Sequence, residues 1–598
     1  MAYSVNWDLE SIFSGGSNST ALQEKIALLK EQTSTLHTKI QNWDVATTTV
    51  TELLSILKDM ELIDAGIEQG LSFTNALSSA NVADAKAQIV GASILALMPD
   101  YQLAETIFIK KLTAILPEKW EALLADPALQ VIAFRLNEMR EKGAELLSDN
   151  EENIINVLSL DGINAWGTHY DNLVKTIQIS HMEKGEEVCL SAGQAFNKMV
   201  GDADNDVRQE MFEKWEAAWS ENEQLFADTL NHVDGFRLAT YKLHNEEDFL
   251  KEPLRYNRMK QETLDTMWQT IIDNKQPLVD YMNRKAKLLG KTQLDWQDQE
   301  APLLLGNINE KTYSFDEGAA FVIENFAKFS PKMADFAKMA FEKSWIEAEN
   351  RNGKRPGAYC TSFPESQASR VFMTYGGAIN EVATLAHELG HAFHSSVLWD
   401  IPALNRQYAM NVAETASTFA ELIVADATLK QAQTKEEKIN LLDVKIQSAV
   451  AMFMNIHARF IFEQRFYTAR KEGLVAPEEL SQMMLDAQKE AFNNALGTYH
   501  PHFWASKLHF YIDDISFYNF PYTFGYLFSM GIYAHASKKG SSFEDEYIAL
   551  LRDTASMTTE ELAMKHLGVR LTEKAFWQAG IDMILADIHE FMQLTENY

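Results

Sequence analysis

His387 and His391 stand four residues apart in the segment NEVATLAHELGHAFH, and Glu388 directly follows the first of them. On a helix, side chains at i and i+4 lie one above the other on the same face, so both imidazoles can reach one metal ion. Glu388 can then reach a water held on that metal. This is the H-E-x-x-H logic of a zinc hydrolase. Ala383, Leu385, Ala386, Leu389, Ala392 and Phe393 surround the pair, which predicts a helix packed in the interior. Gly390 breaks that pattern. A glycine costs about 1 kcal/mol inside a helix and stands there for a packing or access reason. His394 is read as packing or as support for a ligand, because a fourth protein ligand would close the site.

A catalytic zinc site takes three protein ligands and keeps one position open. The only cysteines, Cys189 and Cys360, form no CxxC pair, so the third ligand should be Glu, Asp or His a little downstream. Pro402 should end the histidine helix, and a new helical pattern begins near Gln407 in QYAMNVAETASTFAELIVADATL. Glu414 on it is far enough along for the chain to leave one helix, turn and come back beside it. Glu421 lies two turns further on the same face, and its better role is to hydrogen-bond a ligand histidine from behind.

HELGHAFH followed by NVAETASTFAE resembles the thimet oligopeptidase and oligoendopeptidase F family of zinc metallopeptidases. In that family a ligand Glu follows the motif inside a V-E-x-x-S-type helix, which Val412 to Ser417 approximate. The upstream GKRPGAYCTSF and TYGG resemble the oligoendopeptidase F branch, as does the tyrosine-rich C-terminal part. The resemblance implies a mostly helical fold with a deep channel in which short peptides are cleaved. It also gives KLHFYIDDISFYNFPYTFGYLF a meaning. The family stabilises the tetrahedral oxyanion of amide hydrolysis with a His and tyrosines from such a stretch, and each such donor is worth about 3–4 kcal/mol. The matching positions are His509, Tyr522 and Tyr526, with Tyr518 and Tyr511 as lesser candidates.

The elements that must position these residues are mainly helices. Gly (27) and Pro (13) are few for a chain of 598 residues, which favours long elements. The run ALQEKIALLKEQTSTLHTKI places Leu22, Ile26, Leu29 and Thr33 at helical spacing, and helices are expected through most of residues 20–145. A break is expected over residues 158–184, with KTIQIS and EEVCLS flanking the turn-like MEKG as a β-hairpin. Helices should follow over residues 196–217, 223–243 and 261–289. Residues 294–307 read as extended. GAYCTSF and SRVFMTYGG read as strands just before the histidine helix. An edge strand within residues 370–377 could bind a peptide backbone by strand addition; alternatively Gly376 and Gly377 only make the turn into the helix. The expected fold class is mostly α, with a small β element beside the motif helix. A helical N-terminal domain (residues 1–195), serving as channel wall or lid, should pack on a catalytic domain (residues 196–598).

A net charge of −32 repels phosphate backbones and anionic membrane surfaces, so neither nucleic acid nor membrane is expected as a partner. Residues 515–537 carry no formal charge but include Asn519, Pro521 and two glycines, and read as a buried aromatic segment. The opening MAYSVNWDLESIF lacks a basic stretch followed by an apolar one, so a cytoplasmic protein is expected.

The reading is a zinc-dependent endopeptidase that cuts oligopeptides. One Zn²⁺ per chain is held by His387, His391 and Glu414, with Glu388 as general base and His509 and a tyrosine at the oxyanion. One rival is a peptidyl-dipeptidase or carboxypeptidase of the same architecture. It would need a cation to hold the substrate's C-terminal carboxylate, and no spacing points to one. The other rival is a non-catalytic, zinc-stabilised peptide-binding scaffold, against which Glu388 is intact. Oligomeric state is left open.

Overall fold

The structure is a computed structural model that describes residues 2–183, 185–306 and 312–598. Helices dominate it, and among the described residues β structure is confined to one hairpin and one three-stranded sheet. The helix Thr20–Asn42 buries Leu22, Leu29, Thr33, Leu36 and Ile40, the stripe its spacing predicts. The long helix Val50–Ala80 opens on a capping box between Thr49 and Glu52. A continuous apolar core runs from Leu9 to Phe591 and joins both parts of the chain.

The break expected over residues 158–184 is narrower than its composition suggests. Asp149–Asp161 and Ile163–Thr176 are helices that meet at Gly162. A Cβ there would come within 2.8 Å of the Leu158 carbonyl and of the Phe236 ring. The first of the two buries no residue; Ile154, Val157, Leu158 and Leu160 are exposed, so no buried stripe marks it as a helix. The hairpin follows as β1 (Gln178–Glu183) and β2 (Glu186–Ser191), paired antiparallel; Lys184 of its turn lies outside the described residues. The predicted helix over residues 196–217 starts earlier and is interrupted, giving Ala192–Gly201 and Asn205–Ser220. Residues 294–306 hold only a 3-10 turn, Trp296–Asp298, and Asn307 lies outside the described residues.

The second sheet has the order β3 (Ile346–Glu347), β5 (Ala368–Phe372), β4 (Tyr359–Phe363). Val371 of β5 pairs with Ile346 on one side and Cys360 on the other. The strand part of residues 370–377 therefore lies between two others, and the edge reading fails because Val371 and Phe372 are paired on both sides. Gly376 and Gly377 make the turn into the next helix. Gly377 has φ +96°, and a Cβ on it would lie 2.8 Å from the Tyr313 carbonyl oxygen. Glu381 accepts from the N–H groups of Gly376 and Ala378, both at 2.8 Å, and so caps the helix start.

That helix, Ile379–Leu398, carries the histidine motif and buries Val382, Leu385, Ala386, Leu389, Ala392 and Phe393. It packs against β4, β5 and the helix Thr415–Gln431. It ends at Leu398, ahead of Pro402. The N-terminal part reaches this region through Val50–Ala80. Gln69 donates to the Ser366 hydroxyl at 2.6 Å, and Thr361 donates to the Ser72 hydroxyl at 2.9 Å. The uncharged stretch before Lys538 forms most of the helix Phe520–Lys539, buried along much of its length. Among the described residues no helix is long and apolar enough to cross a membrane.

Candidate active site

The fold brings His387, His391 and Glu414 together, their ligand atoms all within 4.8 Å of one another. Glu414 stands at the junction between the short helix Met410–Ala413 and the helix Thr415–Gln431. Its Oε2 lies 3.2 Å from His387 Nε2 and 3.4 Å from His391 Nε2. Ser417, one turn on, donates its hydroxyl to the same oxygen at 2.8 Å and holds the carboxylate toward the histidines. Two glycines permit the approach. A Cβ on Gly390 would lie 2.5 Å from the Ala416 carbonyl oxygen and 2.6 Å from Ser417 Cα. A Cβ on Gly525 would lie 3.1 Å from Glu414 Cβ.

His387 Nδ1 donates to Glu421 Oε2 at 3.1 Å, which turns Nε2 toward Glu414. Burial alone would push His387 down, but the hydrogen bonds to Glu414 and Glu421 override it and bring it up to about 10. The same pairing, against burial, holds Glu414 well below the usual carboxylate range. Two imidazoles ringed by three carboxylates demand positive charge at their centre. A proton or a divalent cation supplies it, and a His₂Glu donor set fits a metal.

Two results follow for metal binding. Because Glu414 and Glu421 raise its pKa, His387 should hold a proton near neutral pH in the metal-free protein, and a metal must displace it. Loading in lightly buffered solution should release about one proton per chain, and affinity should fall about tenfold per pH unit as the pH drops below 10. Zinc addition with no change of pH would rule this out. Glu421→Gln should weaken metal binding by roughly 10- to 100-fold in competition with a chelator, with a small effect on thermal stability, because this side chain is only half-buried (44% exposed). Affinity equal to wild type would remove Glu421 from the site.

Glu388 is 6% exposed, and its Oε2 has no hydrogen-bond partner. Burial pushes its carboxyl up, partly opposed by His387 and His391. His394 is turned away. It stacks on Tyr408 with ring centroids 4.2 Å apart, and its Nε2 lies 3.2 Å from the Leu551 carbonyl. Burial takes it down to about 3, so it is a neutral core residue.

His509, Tyr518 and Tyr522 form one aromatic cluster, with ring centroids 5.4–5.9 Å apart. Tyr522 begins the helix Phe520–Lys539, and the charge of Glu414 reaches it. Tyr526, one turn on, is buried edge-on against Phe453. Tyr511 is not brought to this cluster: it stacks on Tyr170 at 3.8 Å, with its hydroxyl 3.5 Å from the Phe226 carbonyl. Burial, Lys507 and Arg459 together hold His509 down at about 3.

The family model for "Peptidase family M3" matches residues 198–583, and that for "Oligopeptidase F" matches residues 111–178. The chain belongs to peptidase family M3. It is a peptidase of a metallopeptidase family, and the His-His-Glu group is where a metal fits. It is 23% identical to the chromosomal oligoendopeptidase F of Lactococcus lactis subsp. cremoris over 99% of this chain and 97% of that protein. It is also 23% identical to oligopeptidase PepF of Bacillus subtilis, over 79% of this chain and 70% of that protein. In fold it matches a putative peptidase from Chlamydophila abortus with a TM-score of 0.83 at 19% identity, covering 99% and 98% of the two chains. An oligoendopeptidase F from Enterococcus faecium matches with a TM-score of 0.71 at 16% identity, covering 97% and 99%.

Some residues of this M3 site carried no signal of their own in the sequence. Ser417 is an ordinary helix residue in its own segment, and only its hydroxyl's bond to Glu414 marks it. Cys360 of β4 lies in the field of Glu388 and is pushed well up, chiefly by burial.

Proposed function

We propose that the chain is a zinc-dependent oligoendopeptidase that hydrolyses internal bonds of short, unstructured peptides in the cytoplasm. The observation that carries this reading is the convergence of His387, His391 and Glu414 beside a buried Glu388 carboxylate oxygen with no partner. Held by those three residues, zinc would supply Lewis-acid polarisation of the scissile carbonyl and of the attacking water.

Glu388 accepts the proton of the attacking water and passes it to the leaving amine. Its raised pKa makes it a stronger base than an exposed glutamate. Burial, Lys507 and Arg459 favour neutral His509, and a neutral imidazole keeps one ring N–H to offer the oxyanion. Tyr522, whose phenol burial and Tyr518 keep protonated, is the better placed tyrosine for the same task. Tyr526, the other candidate donor, sits deeper. The helices of residues 1–195 act as the wall of a channel that admits extended peptides and excludes folded proteins.

The test is hydrolysis of an internally quenched oligopeptide by chelated and zinc-reconstituted protein, with product masses. Zinc should restore turnover and the products should come from an internal cut. Release of C-terminal dipeptides alone would favour a peptidyl-dipeptidase. A zinc-loaded protein that cuts nothing in a varied peptide pool would favour a non-catalytic scaffold.

A further inference from the structure

The segment that carries His509 is well anchored up to Trp504. Gln488 donates to the His500 carbonyl at 2.8 Å, and the Trp504 indole donates to the Ser481 hydroxyl at 3.0 Å. His502 lies 2.7 Å from Glu216 and 3.0 Å from Glu223. Beyond Trp504 the support thins. Among the described residues, Ala505 to Phe510 take part in hydrogen bonds within residues 500–511 and in one from elsewhere: the Tyr170 hydroxyl donates to the Ala505 carbonyl at 3.1 Å. Phe510 adds a ring contact with Phe462, centroids 5.0 Å apart. His509 Nδ1 has no hydrogen-bond partner among the described residues. Its ring leans on Tyr518 and Tyr522 from the 3-10 turn Leu508–Phe510, so where that ring points depends on how its segment is held.

Tyr170 comes from far upstream, on the helix Ile163–Thr176. Asn164, Gly167 and Tyr170 recur at a spacing of three and share one helix face, and all three meet this segment. Asn164 donates to Asp513 Oδ2 at 2.7 Å. A Cβ on Gly167 would lie 3.2 Å from Asp513 Cβ and Cγ, so a side chain there would push the segment away. Tyr170 stacks on Tyr511 with ring planes at 17°. Burial raises the Tyr170 phenol, which keeps its proton for donation. The contacts bracket His509: Ala505 precedes it, and Tyr511 and Asp513 follow it. Arg237 also donates to the Ile512 and Asp513 carbonyls, at 2.8 and 3.3 Å, but reaches only the side after His509. On the side before it, past Trp504, Tyr170 acts alone.

The helix Phe520–Lys539 links this turn to the metal-binding group. Its Tyr522 packs on the His509 ring with centroids 5.9 Å apart. One turn on, a Cβ at Gly525 would lie 3.1 Å from Glu414 Cβ, and Ser529 donates to the Glu414 carbonyl at 3.3 Å. A shift of the His509 turn against this helix therefore moves the imidazole relative to the bound metal's ligands. A donor aimed at an oxyanion works only within hydrogen-bond distance of it, and a misplacement of about 1 Å is costly in rate.

We propose that Tyr170 is a positioning residue: through the Ala505 carbonyl and the Tyr511 ring it fixes the turn that presents His509 to the oxyanion. The helix Ile163–Thr176 is then more than channel wall, since it helps to set the rate of the chemical step. This rests on the peptidase reading, with His509 as an oxyanion donor, and deepens it.

The test compares zinc-loaded, full-length wild type, Tyr170→Phe, His509→Ala and the double variant on an internally quenched peptide. Tyr170→Phe keeps the ring and removes only the hydroxyl. It should lower kcat by about 3- to 10-fold, the worth of one hydrogen bond. KM should stay within about 2-fold of wild type, because an oxyanion donor acts in the transition state. His509→Ala should lower kcat by about 10²-fold or more. In that background Tyr170→Phe should cost less than about 2-fold, since the group it positions is gone. A tyrosine that served stability alone would lower Tm and give the same kcat loss in both backgrounds. Equal losses, or no loss with Tyr170→Phe, overturn the proposal. If Tyr170→Phe does not fold, Asn164→Ala takes its place in the same comparison, because it frees Asp513 from a half-buried position. The two levels separate cleanly. A wild type that cuts nothing defeats the peptidase reading and the proposal with it. Full kcat in His509→Ala removes His509 from the oxyanion and so overturns the proposal while peptide cleavage stands. A loss in His509→Ala with none in Tyr170→Phe overturns the positioning role alone.

Discussion

Glu388→Gln should lower kcat for peptide hydrolysis by about 10²- to 10⁴-fold, the range general-base catalysis contributes, while metal content stays at the wild-type level. Glutamine has the shape of the glutamate but its amide cannot accept the proton of an attacking water. None of the three metal-binding side chains is altered, so zinc uptake should not change. KM should move little, because Glu388 acts on the reacting water and not on peptide binding. The substitution also removes a buried carboxylate oxygen that has no partner, so the variant should melt at or slightly above the wild-type temperature. That combination separates a catalytic residue from a structural one. A variant that binds zinc normally and keeps more than about a tenth of wild-type kcat would remove Glu388 from the proton transfer.

Gly390→Ala should be the most damaging single methyl group near the site. In a solvent-facing helix this change stabilises by about 1 kcal/mol. Here the added Cβ would meet the Ala416 carbonyl oxygen at 2.5 Å, Ser417 Cα at 2.6 Å and the Ala416 carbonyl carbon at 2.9 Å. All three are backbone atoms, so no side chain can swing aside and the two helices must separate. Overpacking of this kind costs about 1–3 kcal/mol. The shift falls on Ser417, which holds Glu414, so the ligand carboxylate moves away from both imidazoles. The expected result is a lower Tm together with metal affinity reduced by at least about 10-fold, as for loss of a ligand's supporting contact. The sign of the Tm change decides the matter: a rise would mean that the helices are not in backbone contact at Gly390.

Much of this protein was legible because it is local. A helix repeats every 3.6 residues whatever surrounds it, so the spacing of His387, Glu388 and His391 put them on one helix, and the apolar residues between them said that the helix is buried. The strands Tyr359–Phe363 and Ala368–Phe372 and the hairpin were legible for the same reason. The helix Asp149–Asp161 was not, since its apolar residues face solvent and leave no stripe. Gly390 could be flagged as needing a packing reason, but its partner, the backbone at Ala416 and Ser417, belongs to another helix.

By itself, then, the sequence determined which residue types share a helix face and how much chain separates that face from the next carboxylates. That much follows from backbone geometry within each segment. Only the tertiary structure decided that Glu414 Oε2 meets both Nε2 atoms while Glu421 meets the Nδ1 of His387, and that β5 lies between two strands, paired on both sides at Val371 and Phe372. These are contacts between segments far apart in the chain. Close packing of backbones and the burial of charge set them, and no local pattern records either.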